Sequence, residues 1–436
     1  MLLIDEGWTQ TLEIARALEL AGFRVTVATT NGTYSRTRHR SVEWISGPRV
    51  DSPELIGWID RVMNPDRHRG IGRSRRAIAR GSSPAIALDA DELEIGIGGS
   101  SRFDEVGRAS RLDEAVTGSP FEEAGTRFDD DDTAPTWAFD VLVPLTERVM
   151  AQLWSACVPW ADRVWPSTDA WQRRVVRDKI LLVDELAARG IPTLRQHRVD
   201  LESARSIERA ARDLHYPLVM KGATGVGGER VRIVDSRGEL DLAVQRAREL
   251  GGAWCFQEWA SGPTYLVGGV FDEGRALRLY AGEKLEQFPP RVGPAIRLRS
   301  TLDARVREVG TAAIQELWWT GFASADVIRR ADGTVALLEI NPRPWGSIGC
   351  AASAGVDLMT PFAAMLRGEI VDESLACRDG DEHAVFPRYL MAPAYRGLRG
   401  AIMAARDLVR ESEWRHPRFL MHALRRLGRL SRGSGL

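Results

Sequence analysis

The apolar positions of this chain change period several times, and each change marks an element. Residues 2–5 (LLID) and 24–30 (RVTVATT) read as short strands around a helix over 11–21 that Gly22 ends. Farther on, FDVLVPL (139–145) reads as a buried strand, a helix carries Met150 and Leu153, and RVWPS (163–167) reads as another strand. From Ala170 one helix is predicted through RRVVRDKILLVDELAARG to Gly190, and Asp200 is expected to cap a helix reaching Leu214. The strand YPLVMK, the loop GATGVGG, the strand ERVRIV, a helix over 239–250 and the strand AWCFQEW (253–259) come next in order. Two antiparallel hairpins succeed them: YLVGGVF and RALRLYAGEKLEQ around Asp272-Glu273-Gly274, then FASADVIRR and TVALLEIN around Asp332-Gly333. The last 65 residues read as mostly helical.

Between residues 67 and 135 no period holds. The stretch RHRGIGRSRRAIARG is basic, and the residues after it are rich in Gly, Ser and acids. Composition reads this segment as a disordered or loosely packed excursion, with a basic nucleic-acid loop as the lesser reading. The α/β opening has no GxGxxG turn after its first strand, so it gives no ground for a dinucleotide.

Composition narrows the function classes. With 436 residues the chain holds several domains, and 59 basic against 60 acidic residues leave a formal charge of −1. Nothing global draws it to nucleic acid or anionic lipid. No apolar run reaches the roughly 18 residues of a membrane span, and the acids at Asp5 and Glu6 do not suit a secretory signal, so the expected compartment is the cytosol. Cys157, Cys255, Cys350 and Cys377 are scattered without a CxxC pair, which argues against disulfides and zinc. From Trp414 onward six arginines occur with no acid, which reads as a solvated basic face. Among the 59 basic residues only Lys179, Lys221 and Lys284 are lysines, leaving 56 arginines.

Three constellations carry chemistry. In VMKGATGVGG, Lys221 ends a strand and glycines 222, 225, 227 and 228 come after it, so that backbone amides can approach phosphate oxygens without a Cβ in the way. In the last hairpin, a two-residue Asp332-Gly333 turn pairs residues whose numbers sum to 665, which sets Asp326 opposite Glu339 with Asn341 on the same face. Opposed carboxylates repel unless a cation lies between them or one is protonated, and an Asp, Glu, Asn oxygen set suits Mg²⁺. Arg343 stands two residues beyond. Finally, CFQEW ends at a break, SGP, where a strand end offers backbone groups to an adenine edge.

Together these residues resemble the ATP-grasp superfamily, in its carbamoyl-phosphate-synthase-like branch that includes many carboxylate–amine ligases, over roughly 170–369. The resemblance implies an α/β and α+β protein: an N-terminal α/β domain over 1–168, a two-lobed ATP-grasp fold over 169–369 (nucleotide lobe 169–260, metal lobe 261–369) and a helical region over 370–436. It implies that Lys179 and Lys221 hold ATP phosphates under the loop Thr224, Gly225, Val226, Gly227, Gly228, and that Glu258, Trp259 and Ala260 line the adenine hinge. Asp326, Glu339 and Asn341 would bind Mg²⁺ or Mn²⁺, and Arg343 would stabilise the transferring phosphate. Lys284 and Arg297 would hold a carboxylate on the acceptor side. Where the family often has an acid past the hinge, this chain offers Thr264.

The activity so implied is ligation of a small carboxylate to a small amine through an acylphosphate, with ADP and phosphate released. An ATP-dependent carboxylase or carbamoylating enzyme, and a nucleotide-binding module without turnover, are the alternatives. No nucleic-acid or membrane partner is expected, and oligomerisation is left open.

Overall fold

The structure, a computed structural model, describes residues 1–5, 10–30, 42–65, 138–225, 228 and 230–385. The described residues of 1–63 and 138–385 belong to one compact unit. The expectations for 67–135, for Val226 and Gly227, and for most of the C-terminal helical region lie outside the described residues.

The first sheet is parallel, in the order β3-β2-β1-β4, from β1 (Leu2–Asp5), β2 (Thr26–Thr29), β3 (Glu43–Ser46) and β4 (Leu142–Pro144). Every residue of β1, β2 and β4 is buried, Asp5, Thr26 and Thr29 included, as in a parallel sheet covered on both faces. Helices α1 (Gln10–Leu20) and α2 (Leu55–Met63) connect its strands; α2 and β3 carried no sequence expectation. Helix α3 (Glu147–Ser155) starts directly beyond β4, where the Thr146 hydroxyl accepts the Val149 N–H at 3.3 Å. The expected strand at RVWPS is not one. Val164 makes a single bridge to Leu142, and Pro166 has no N–H to carry a ladder further.

The single helix expected over 170–190 is two, α4 (Ala170–Val176) and α5 (Lys179–Ala188). Asp178 makes the break: its carboxylate accepts the N–H groups of Ile180 and Leu181, which starts a new helix at Lys179. Likewise Ser203, not Asp200, caps α6 (Ala204–Leu214).

An antiparallel sheet in the order β5-β8-β6-β7 comes next, from β5 (Gln196–Val199), β6 (Leu218–Gly222), β7 (Val231–Val234) and β8 (Trp254–Glu258). Helices α6 and α7 (Arg237–Leu250) cover one face, where Ile207, Leu214, Leu240 and Val244 pack on Leu218, Met220 and Phe256. Strand alternation sends Val219, Lys221 and Gln257 to the other face.

The largest sheet, β13-β12-β9-β10-β11-β14, is antiparallel throughout. Its strands are β9 (Thr264–Asp272), β10 (Arg275–Gln287), β11 (Ala295–Ser300), β12 (Gly321–Arg329), β13 (Val335–Asn341) and β14 (Glu382–Ala384). Helix α8 (Ala304–Gln315) buries Val306, Val309, Ala313 and Ile314 against Val267, Ala323, Ala325 and Val327. The residues between these, Leu266, Ser324 and Asp326, point to the opposite face. Short helices α9 (Gly349–Ser353) and α10 (Met359–Leu366) lie beyond β13. Among the described residues beyond 370 the only regular element is the strand β14, not a helix. No helix of the described residues is long and apolar enough to cross a membrane.

Candidate active site

The faces of the two antiparallel sheets turned away from α6, α7 and α8 border a cavity of about 640 Å³. All three lysines of the chain line it, in a protein with 56 arginines. Helix α5 opens with Lys179, whose backbone N–H donates to the Ala223 carbonyl at 2.9 Å, just past β6. That bond sets Lys179 beside Lys221, which is itself 8% exposed near the end of β6.

Asp326 and Glu339 are partners across β12 and β13, as the sum of 665 requires, but the route to that register differs from the expected one. The turn has three residues, because Arg330 and Thr334 are bonded at 2.8 Å and the Gly333 N–H donates to Arg330 at 2.9 Å. Gly333, with φ +83°, takes the left-handed position such a loop needs. Pairs near the turn therefore sum to 664, Val327 with Leu337 and Arg329 with Val335. Leu338 is the extra residue, and the bulge it makes restores the register at Glu339. The bulge also frees a carbonyl: Leu338 O accepts Lys221 Nζ at 3.0 Å, which joins the small sheet to the large one.

The opposed carboxylates are relieved by lysines. Lys284 Nζ lies 2.6 Å from Asp326 Oδ2, and Lys179 Nζ lies 3.5 Å from Glu339 Oε2. Burial pushes the Asp326 carboxyl up, against the pull of Lys284. Burial acts on Glu339 in the same sense but is outweighed by Lys179, Lys221 and Lys284, which hold it well below the usual carboxylate range. For Lys179, burial favours the neutral amine, yet Glu339 and then Glu147 raise its pKa above that of an ordinary lysine. Glu339 and Lys179 are therefore held in their charged forms, while Asp326 is pushed toward its neutral one.

Asn341 Nδ2 donates to Glu339 Oε1 at 3.4 Å, and Arg343 Nη2 donates to Asn341 Oδ1 at 3.4 Å. Glu147, at the start of α3, brings Oε1 to 3.3 Å from Arg343 Nε. Sequence reasoning missed Glu147, because no local signal links it to a residue 196 positions away.

The remaining expected residues divide. Thr224, Gly225 and Gly228 line the cavity under Arg230, which donates to Thr224 Oγ1 at 3.0 Å. Gly228, at φ +80°, lies so near the 288–294 loop that a Cβ would stand 2.6 Å from the Val292 carbonyl oxygen. Glu258, Trp259, Ala260 and Thr264 line the cavity as well. The Glu258 carboxylate accepts from Arg195 at 2.7 Å and from Arg330 at 2.9 Å, and Trp259 carries Arg291 over its ring at 4.5 Å. Arg297 is the departure: it is not among the lining residues, and its guanidinium is engaged by Glu286 and Glu382. Its neighbours Ile296 and Leu298 are buried, so alternation along β11 carries Arg297 to the ion pairs instead.

Residues 176–347 match the family model of the ATP-grasp domain. The chain carries an ATP-grasp domain. The match begins at the end of α4 and ends two residues past Trp345, so every cavity-lining lysine and acid named above falls within it. The D-alanine–D-alanine ligase of Ectopseudomonas mendocina is 28% identical over 203 residues, 42% of this chain and 61% of that protein. The biotin carboxylase of Pseudomonas aeruginosa is 23% identical over 225 residues, 49% of this chain and 47% of that protein. The chain thus spans less than two thirds of either relative. Among solved structures, an L-amino acid ligase from Bacillus licheniformis aligns with a TM-score of 0.53 and 17% identity, covering 84% of this chain and 74% of that one. A biotin carboxylase from Campylobacter jejuni aligns with a TM-score of 0.57 and 13% identity, covering 87% and 74%. At these identities the likeness is one of fold, and it extends beyond the ATP-grasp domain.

Proposed function

We propose that the chain is an ATP-dependent carboxylate–amine ligase. The observation that carries the reading is the convergence of Lys179, Lys221 and Lys284 with the opposed Asp326 and Glu339 in one cavity between two sheets. In the proposed reaction a carboxylate oxygen of the substrate attacks the γ-phosphorus of ATP, and the bond from phosphorus to the ADP oxygen breaks. An amine nitrogen then attacks the acylphosphate carbon, loses a proton and expels phosphate, leaving an amide.

Such chemistry needs positioning and charge neutralisation rather than a protein nucleophile. Lys179 and Lys221 would hold phosphate oxygens, with Thr224, Gly225 and Gly228 above them, and the ends of β8 and its break (Glu258, Trp259, Ala260) would border the adenine. Arg343 would neutralise charge on the group in transit. The expected domain limits, 1–168, 169–369 and 370–436, remain part of this proposal.

A divalent metal fits the donors present. Asp326, Glu339 and Asn341 offer only oxygen ligands, and among the described residues no group of three His, Cys, Asp or Glu would cage a metal alone. Mg²⁺ is commonly held in this way, by one or two carboxylates plus substrate phosphates. Bound there, it would supply neutralisation of phosphate charge.

Ligation is favoured by the likeness to an amino-acid-joining ligase in sequence and to another in fold. The similarity to biotin carboxylases supports carboxylation as a second reading on the same nucleotide site. ADP release by the purified protein with Mg²⁺ and a panel of amino acids, alone and with bicarbonate, separates them. Ligase activity gives amine-dependent ADP and a hydroxamate when hydroxylamine is the amine. Glu339→Gln is expected to abolish turnover with the circular dichroism spectrum retained, and undiminished turnover would remove the metal assignment.

A further inference from the structure

Two buried polar groups in the cavity have no hydrogen-bond partner among the described residues. Trp345 is 3% exposed and its indole N–H meets no acceptor, while Ser324 is fully buried and its hydroxyl meets no partner. Both line the cavity. A buried donor without an acceptor is costly, so its retention calls for an acceptor from elsewhere.

The placement narrows what that acceptor is. Gly268, Ser324 and Asn341 are consecutive partners across β9, β12 and β13 and share one face of the large sheet. The neighbouring rung on that face is Leu266, Asp326 and Glu339, two residues or about 7 Å away. The Trp345 ring lies against Gly268, where a Cβ would meet ring atoms at 2.9 Å, so only glycine admits the indole there. The Ser324 hydroxyl and the Trp345 ring thus stand one rung from the acids, on the wall that Arg343 also lines. An indole N–H only donates, and it would stay unpaired beside an ammonium. A carboxylate, all acceptor, suits either group.

We propose that Trp345 and Ser324 form the floor that receives the carboxylate to be activated, with Trp345 the specificity-determining residue. This inference rests on the ligase reading. Trp345→Phe removes the donor together with the outer ring that lies against Gly268; Ser324→Ala removes only the hydroxyl.

Ser324→Ala should melt at or above the wild-type temperature without ligand, since it loses a buried unpaired group, and Trp345→Phe somewhat below it, because the smaller ring leaves a cavity. Acetate, added at constant ionic strength against chloride with MgADP present, should raise the wild-type melting temperature and should not raise that of Trp345→Phe. With an amino acid that supports ADP release, Trp345→Phe should raise KM for the acid about tenfold or more while KM for ATP holds. Ser324→Ala melting several degrees lower would give its hydroxyl a structural role and overturn the proposal, as would a wild-type protein that does not distinguish acetate from chloride. If no acid or amine supports ADP release, the ligase reading fails by itself, whereas the acetate comparison still decides whether this floor binds carboxylates.

Discussion

The hairpin that carries the acids and the hairpin that carries the glycines meet in one cavity, but they are held very differently. The β12–β13 hairpin is backed by α8, its turn is tied by Asp332 to Thr334 at 2.9 and 2.6 Å, and β13 is bonded on its outer side to Pro192 through the Leu337 N–H at 2.7 Å. The β6–β7 hairpin ends its sheet, β7 buries only Val234 fully, and its loop is joined by Arg230 through bonds to Thr224, Leu250 and Gly251. Carboxylates that must meet a cation at fixed distance sit where displacement would break a core. Backbone amides that must fold over a ligand sit where a shift disturbs few bonds. Lys221 belongs to the second hairpin but donates into the bulge of the first, so the two are joined at one hydrogen bond.

Cutting that joint should have the largest effect. Lys221→Met removes a phosphate-side charge and one of the cations holding Glu339 ionised, and ADP release is expected to fall on the order of 10²–10³-fold. Lys221→Arg should recover little, because a planar guanidinium does not fit a site shaped for a compact ammonium. Full rescue by arginine would mean that only charge matters at this joint.

The same substitution placed in the two regions sharpens the contrast. A Cβ at Gly269, in the middle of β9, would stand 2.1 Å from the Arg278 carbonyl oxygen inside the β9–β10 ladder. Gly269→Ala should therefore lower unfolding free energy by about 3 kcal/mol in urea titrations. Gly228→Ala meets the Val292 carbonyl oxygen at the longer distance of 2.6 Å and is strained at φ +80°, so a smaller loss of about 1–2 kcal/mol is expected, with KM for ATP raised. Equal losses at the two sites would erase the distinction. Glu258 tests a smaller tie, since Arg330 comes from the turn region of the acid-bearing hairpin and Arg195 is largely solvated. Glu258→Gln should cost about 1.5 kcal/mol by the same titration, mostly through Arg330.

The legibility of the sequence divides along the same line. Alternation and residue spacing placed Asp326, Glu339 and Asn341 on one face, and the rarity of lysine marked the cavity before any coordinate. The register came out right although the turn is one residue longer than expected, because the Leu338 bulge compensates and bulges leave no short-range signature. The α4–α5 break had a local cue, an aspartate within a helical pattern, and the cue was outweighed by the continuous apolar spacing around it. Glu147 and Arg297 were illegible for another reason: each owes its position to a distant element, α3 beside Arg343 and β14 beside β11, which only tertiary packing brings near.

The underside of the glycine hairpin offers the finest test, because its dryness is visible in one thiol. Cys255 on β8 pairs with Lys221 in register, packs against Ile180 and Ala223, and has its pKa pushed by burial up to about 12, against the pull of Lys221. The unfolded thiol titrates near 9. Below pH 9 both states keep the proton and the thiol contributes no pH dependence. Between 9 and 12 the unfolded chain releases it and the folded chain does not, so stability falls as pH rises, by about 1 kcal/mol at pH 9.5. Urea titrations of the wild type and Cys255→Ala at pH 7.5 and 9.5, in the presence of reductant, isolate this contribution from other titrating groups. The variant loses packing at both pH values, but the gap between the two proteins should narrow by that amount at the higher one. A gap that stays constant would mean that water reaches the thiol, and that the floor beneath Lys221 is as open as the loop above it.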